Sequence, residues 1–298
     1  MKYPRILSGI LVSTVSLAII FLTPVWAHLI FLFAIFFVGE FEFNSMAQRG
    51  GYRYELLITA VCGLAYLVCA ILESPAYAGK SIVASWNNGI SMCEIILALT
   101  PALLFISCIF KRKTQAAMES FALSLAGFWF AAVLSGFMMR IAFIWGLNQS
   151  GHVDISGKLA LFLLILFVKI SDIGAYVIGK NFGKRKLIPE ISPKKTVEGL
   201  LGGYLFSISA GLLCWIIAIF SDGKIGAMRY GIIDALALPI VLVTAGVLGD
   251  LSASLIKRSV AVKDASKIFP GMGGMLDVLD SLLFAAPVMF VYTLIFLK

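Results

Sequence analysis

Apolar residues run along this chain in long blocks broken by short polar turns, and the blocks are too long for strands. Nine windows each hold about 20 mostly apolar residues, the length a helix needs to cross a hydrocarbon core. They cover residues 6–23, 25–43, 54–73, 90–110, 117–139, 159–179, 196–221, 231–249 and 279–297. In lipid each backbone N–H and C=O must be satisfied within its own segment, so the windows predict helices and an all-α fold class. The first two windows part only near Thr23 and Pro24, which predicts a tight helical hairpin. Lys2 and Arg5 ahead of an apolar stretch look like the start of a secretory signal, yet no small-residue cleavage site follows before the next block. The first window is therefore expected to be a retained helix. The pattern is that of a polytopic integral membrane protein with about nine transmembrane helices.

Composition agrees with a bilayer. The chain is 60% hydrophobic and 13% charged, with a mean hydropathy of +0.99, against about 25% charged residues in soluble domains. The net charge of +8 does not point to nucleic acid, because the cations occupy short loops rather than one stripe and no binding motif accompanies them. Their distribution reports orientation instead. With the N-terminus in the cytoplasm, the inner side receives Lys2 and Arg5, Arg49 and Arg53, Lys111-Arg112-Lys113, and the loops 180–195 and 250–278. The outer side receives Lys80, Arg140 and Lys158, Lys224 and Arg229, and Lys298. Cys62, Cys69, Cys93, Cys108 and Cys214 all fall inside apolar windows, and Cys62 and Cys69, seven apart on one helical face, have no histidine or acidic partner near them, so the cysteines read as packing residues. No internal repeat or low-complexity linker is visible. Character changes near residue 158, dividing the chain into N-terminal transmembrane helices, 1–158, and a C-terminal transmembrane catalytic region, 159–298.

Two stretches of that second region concentrate chemistry. In the first, 171–203, Lys169 and Asp172 stand deep in an apolar window, where each costs about 2.5–3.5 kcal/mol to insert. They line a polar cavity or pair with each other at i,i+3 spacing. Lys180, Lys184, Arg185 and Lys186 follow, and a topogenic basic loop explains them equally well. Ser192, Pro193, Lys194, Lys195 and Thr196 are more specific, since they stand where the next helix begins and a helix start suits a phosphate. The second stretch, 249–280, has Gly249-Asp250, then Ser254 and Arg258 at i,i+4 spacing with Lys257 between them. Lys263-Asp264 and the turn Pro270-Gly271-Met272-Gly273-Gly274 come next, then Asp277 and Asp280 on one helical face. Acidic residues in a first turn also offset the helix dipole. Carboxylates facing lysines on a membrane rim favour metal-assisted phosphoryl or nucleotidyl transfer.

The run from Ser254 to Asp280 closely resembles the signature of the phosphatidate cytidylyltransferases, the CDP-diacylglycerol synthases. Ser254, Lys257-Arg258, Lys263-Asp264, Pro270, Gly273-Gly274, Asp277 and Asp280 fall on it in register. The block 172–203 looks like the family's second stretch, through Gly174-Ala175-Tyr176, Phe182-Gly183-Lys184, Ser192-Pro193-Lys194-Lys195-Thr196 and Glu198-Gly199. The N-terminal half matches only in general hydropathy. Met272 stands where the signature has His, Val278 where it has Arg, and Ala253 where it has an acidic residue. These differences mark a divergent member.

The resemblance implies that CTP and phosphatidate give CDP-diacylglycerol and pyrophosphate in a bacterial inner membrane, with Mg²⁺ as cofactor, a second cation and a homodimer both being compatible with it. It implies Asp250 and Asp277 as metal ligands, and Lys263, Asp264, Asp280 and Asp172 as catalytic or orienting groups. Ser192, Lys194, Lys195, Thr196, Ser254, Lys257 and Arg258 are then substrate-binding. A CTP-dependent kinase of a polyprenol-type alcohol and a transporter of phosphorylated solutes are the alternatives; the second would call for inverted repeats that the sequence lacks. Glu94, within the fourth window, either extends the cavity or marks the end of its helix; Glu40 and Glu42 close the second span and are expected to face the inner interface, and His28 and His152 are isolated, without metal-ligand spacing.

Overall fold

The computed structural model describes residues 14–75, 77, 91–111, 116–148, 151–269, 271 and 273–298. Lys2, Arg5, Lys80, Arg112, Lys113, Pro270, Met272 and residues 6–13 of the first apolar window lie outside them. Among the described residues, seven helices are long and apolar enough to cross a membrane. They are α1 (Val25–Arg49), α3 (Met92–Phe110), α4 (Ala117–Ala142), α5 (Ile155–Phe182), α6 (Val197–Ile219), α7 (Ile232–Ser259) and α8 (Met275–Leu297). The expected third span is the apolar helix α2, Leu56–Leu72, which is 17 residues long. A helical stretch over 14–22 ends at Thr23 and Pro24, and α1 starts at Val25. His28 is buried at this break, its ring nitrogens 3.1 Å from the carbonyl oxygens of Pro24 and Ile20.

The chain forms two compact units, Met1–Asp154 with Ile256–Leu279, and Ile155–Leu255 with Asp280–Lys298. In the first, α1 to α4 pack around Phe36, Tyr66, Leu67, Ala70, Cys93, Phe128 and Ala131 to Val133. Helix α4 widens into a π-helical stretch over Phe128–Leu134, which turns every residue of it except Trp129 inward. Acids tie the helix ends. The Glu55 carboxylate, at the start of α2, accepts from Lys111 and from Ser107 of α3. Glu73, at the other end of α2, accepts from Ser91 Oγ and Met92 N at the entrance of α3.

In the second unit α5 and α6 pack as an antiparallel pair whose backbones nearly touch. A Cβ on Gly174 would lie 2.6 Å from the Gly202 carbonyl oxygen, and one on Gly202 would lie 2.8 Å from that of Gly174. Small residues allow this approach, which is how helices associate where no hydrophobic drive separates them from lipid. The segment between them, expected to be a basic loop leading into a helix entrance at Ser192–Thr196, contains a small antiparallel hairpin of β1 (Lys186–Ile188) and β2 (Ser192–Thr196). A second minimal hairpin joins Lys224–Ile225 to Met228–Arg229. Two such pieces leave the protein essentially all-helical.

Candidate active site

Helix α7 does not stop near residue 249, where its apolar window ends, but continues to Ser259. Asp250, Ser254, Lys257 and Arg258 therefore all stand on regular helix. Helix α8 starts four residues ahead of its window, which puts Asp277 in its first turn.

In the first unit Asp277 is the centre of a closed cluster. Its Oδ1 accepts from Lys257 Nζ at 2.5 Å, and its Oδ2 accepts from the backbone N–H groups of Ala265 and Gly274, each at 2.8 Å. The bond to Gly274 is the reach-back of an N3 carboxylate to the residue that caps its own helix. Charge-assisted bonds of this kind are about twice as strong as neutral ones. The turn before it is closed by Phe269 and Gly273, which exchange backbone hydrogen bonds of 2.8 and 3.1 Å. Gly273 sits at φ +102, and a Cβ on it would run into Asp277 Oδ2. The neighbouring Gly274 faces a different acid, since a Cβ there would strike Glu42 Oε1. The glycine pair of the motif thus admits two carboxylates to the backbone. Arg258 donates to the Val262 carbonyl at 3.1 Å, while Lys263 and Asp264 are exposed and take no part in the Asp277 cluster.

Glu42 and Arg49, both on α1, are the residues that sequence reasoning missed. The Glu42 carboxylate is fully buried and accepts from Ser266 Oγ at 2.5 Å and from Met275 N and Leu276 N at 2.8 Å each. The Arg49 guanidinium donates to the Ala265 carbonyl. The available signal was a carboxylate placed in an apolar window with no cation near it in sequence.

The second unit brings four charges together. Lys195 Nζ lies 2.6 Å from Asp250 Oδ2, and Ser254 Oγ donates to Asp250 Oδ1 at 3.3 Å. Lys169 and Asp172 form an i,i+3 pair at 3.5 Å, and Asp172 is within electrostatic reach of both Asp250 and Lys195. Of the two alternatives open for Lys169 and Asp172, the structure has the intrahelical pair, which is also part of a larger group of two acids and two lysines. Next to Asp250, a Cβ on Gly249 would lie 2.5 Å from the Asp280 carbonyl oxygen, so only glycine lets the two backbones approach this closely. Asp280 is buried and accepts from Ser281 N at 2.6 Å and Ser281 Oγ at 3.0 Å.

The Ser192–Thr196 segment serves this group as a strand. Thr196 caps α6, its Oγ1 accepting from Gly199 N at 3.1 Å. Glu198 holds the incoming loop by accepting from Lys184 N at 3.0 Å and Arg185 N at 3.1 Å. Thus anchored, the strand turns Lys195 to Asp250 and leaves Lys194 exposed, with Ser192 half-buried. Val278 and Ala253, two positions that depart from the resembled signature, are buried, so an arginine or a carboxylate at either would need a partner.

The model of the cytidylyltransferase family matches residues 3–296. The phosphatidate cytidylyltransferase of Bacillus subtilis (strain 168) is 31% identical over 280 residues, covering 90% of this chain and 94% of that protein. The phosphatidate cytidylyltransferase of Aquifex aeolicus (strain VF5) is 45% identical over 130 residues, 44% of this chain and 45% of the relative. That of Haemophilus influenzae (strain ATCC 51907 / DSM 11121 / KW20 / Rd) is 39% identical over 160 residues, 52% of this chain and 54% of the relative. The chain thus spans about half the length of these last two, and nearly all of the Bacillus protein. With a match from residue 3 to residue 296, the chain belongs to the cytidylyltransferase family.

Proposed function

We propose that this protein transfers the cytidylyl group of CTP to phosphatidate, giving CDP-diacylglycerol and pyrophosphate. The observation that carries the reading is the near full-length similarity to a phosphatidate cytidylyltransferase, in a chain whose motif aspartates Asp250 and Asp277 each hold a lysine ammonium group. An oxygen of the lipid phosphate attacks the α-phosphorus of CTP in line, a new P–O bond forms, and the bond to the bridging oxygen of the β-phosphate breaks. The attacking phosphate is already anionic, so no protein nucleophile is needed. Catalysis is then positioning and neutralisation of charge.

Asp250 and Asp277 are proposed to hold Mg²⁺. What supports the reading is donor chemistry, since both are carboxylates that already face a cation, Asp250 Oδ2 facing Lys195 and Asp277 Oδ1 facing Lys257. Mg²⁺ is commonly bound by one or two carboxylates together with substrate phosphates. Among the described residues no group of three or more His, Cys, Asp or Glu side chains converges, so the phosphates of CTP would complete the shell. When bound, the ion would offset the charge of the triphosphate. Lys194, Lys195, Lys257, Arg258 and Lys263 would bind phosphate oxygens, with Ser192, Thr196 and Ser254 supporting them. Asp264 and Asp280 would orient these groups, and Asp172 would line the polar cavity for them.

The same reading sets nine spans with the N-terminus and the charged loops in the cytoplasm, in the inner membrane of a bacterium. Support comes from the first unit, where Arg49, the 256–279 segment, Glu55 and Lys111 make their contacts at matching ends of alternating helices. The reading uses residues of one chain only. Release of pyrophosphate on mixing protein, CTP, Mg²⁺ and phosphatidate tests it; release that does not require phosphatidate would reject the assigned acceptor.

A further inference from the structure

Acids of the N-terminal half mostly tie that half to itself. Glu40 accepts from Tyr54 and Thr59, Glu55 from Lys111 and Ser107, and Glu73 from Ser91 and Met92. Glu42 differs, because the groups that donate to it, on Ser266, Met275 and Leu276, all lie more than 220 residues away along the chain, in the motif segment. It covers the first N–H groups of α8, which no intrahelical carbonyl can satisfy. Asp277 covers the N–H immediately before them, that of Gly274. Two carboxylates from opposite ends of the sequence thus share one helix start, and both face the adjoining glycines. Arg49, two turns further along α1, holds the Ala265 carbonyl, the residue whose N–H also bonds Asp277.

We propose that Glu42 is a positioning residue of the active site: it fixes the first turn of α8 and so sets the direction in which Asp277 presents Oδ1. The role rests on the proposed function only in what Asp277 does, since the contacts themselves are independent of it. A glutamine at position 42 keeps the shape but turns an NH₂ group toward an N–H or hydroxyl donor, so one of the three bonds is replaced by a clash of donors. Groups that orient a metal-binding side chain typically change metal affinity or activity by about 10- to 100-fold when altered.

The test compares full-length wild type, Glu42→Gln and Gly274→Ala in detergent, by hydrogen exchange and by Mg²⁺ titration of CTP turnover. Faster exchange confined to 273–278, with α6 unchanged, and a half-saturating Mg²⁺ concentration raised about 10- to 100-fold are expected for Glu42→Gln. A lower maximal rate at unchanged Mg²⁺ dependence would reflect only a smaller folded fraction and would overturn the proposal, as would unchanged local exchange. If Glu42→Gln does not fold, Gly274→Ala replaces it, since its methyl displaces the Glu42 carboxylate without removing it and should give the same two shifts. If the wild type itself transfers no cytidylyl group, the proposed function fails. Exchange at 273–278 and Mn²⁺ binding measured by electron paramagnetic resonance in the presence of CTP then decide the role of Glu42 alone.

Discussion

Lys257 Nζ lies 2.5 Å from Asp277 Oδ1, with the two side chains only 11% and 7% exposed. Lys195 and Asp250 make the same kind of contact at 2.6 Å, but with 26% and 33% exposure. The chemistry is identical and the surroundings are not. Removing one partner of a buried pair costs about 3–5 kcal/mol, because the other charge is left without compensation. A pair in contact with solvent contributes about 0–1 kcal/mol.

Lys257→Ala is therefore expected to lower stability by about 3–5 kcal/mol and to abolish turnover. Asp277→Asn should leave folded protein of lower melting temperature and no turnover. Thermal denaturation in detergent alongside the activity assay separates the two effects. Near-normal activity of Asp277→Asn would remove Asp277 from the site.

Lys195→Ala should do the opposite, leaving stability within about 1 kcal/mol of wild type while weakening CTP. A charged hydrogen bond to phosphate contributes about 1.5–3 kcal/mol, which corresponds to about a 10- to 100-fold rise in KM for CTP. Steady-state kinetics at saturating phosphatidate measures this.

Gly174→Val tests the packing of α5 on α6. Its new side chain meets backbone, the Gly202 carbonyl, rather than a flexible side chain that can yield. Overpacking of this kind costs about 1–3 kcal/mol or more, so a clear fall in melting temperature is expected. An unchanged melting temperature would mean the helices do not approach as described.

If CTP phosphates complete the Mg²⁺ shell, the ion should bind poorly to the protein alone and at least about tenfold more tightly with CTP present. Calorimetric titration with and without the nucleotide checks this. Chelation should stop turnover and leave helical circular dichroism unchanged.

The parts of this structure that depend on local pattern were legible in the sequence. Apolar blocks placed α3 and α6 within two residues at each end, and i,i+3 spacing left the pair of Lys169 with Asp172 open as one of two alternatives. Helix α7 was underestimated because Asp250 and the cations after it end the apolar window, although charged residues continue a helix readily once it leaves lipid. Ser192 to Thr196 looked like a helix entrance, and Thr196 is indeed the cap, but the four residues before it pair as a strand with Lys186 to Ile188. Glu42 was hidden for another reason. Its bond to Met275 crosses 233 positions, and neither periodicity nor spacing carries information over that distance.

The most direct measurement gives the purified protein Mg²⁺, phosphatidate and CTP labelled at the α-phosphate or, in a parallel sample, at the γ-phosphate, and follows label into the organic phase. The account predicts that α-label enters the lipid product in step with pyrophosphate release and that γ-label stays in the aqueous phase. Transfer of γ-label to lipid, or retention of both labels in water by folded protein that binds CTP, would contradict it.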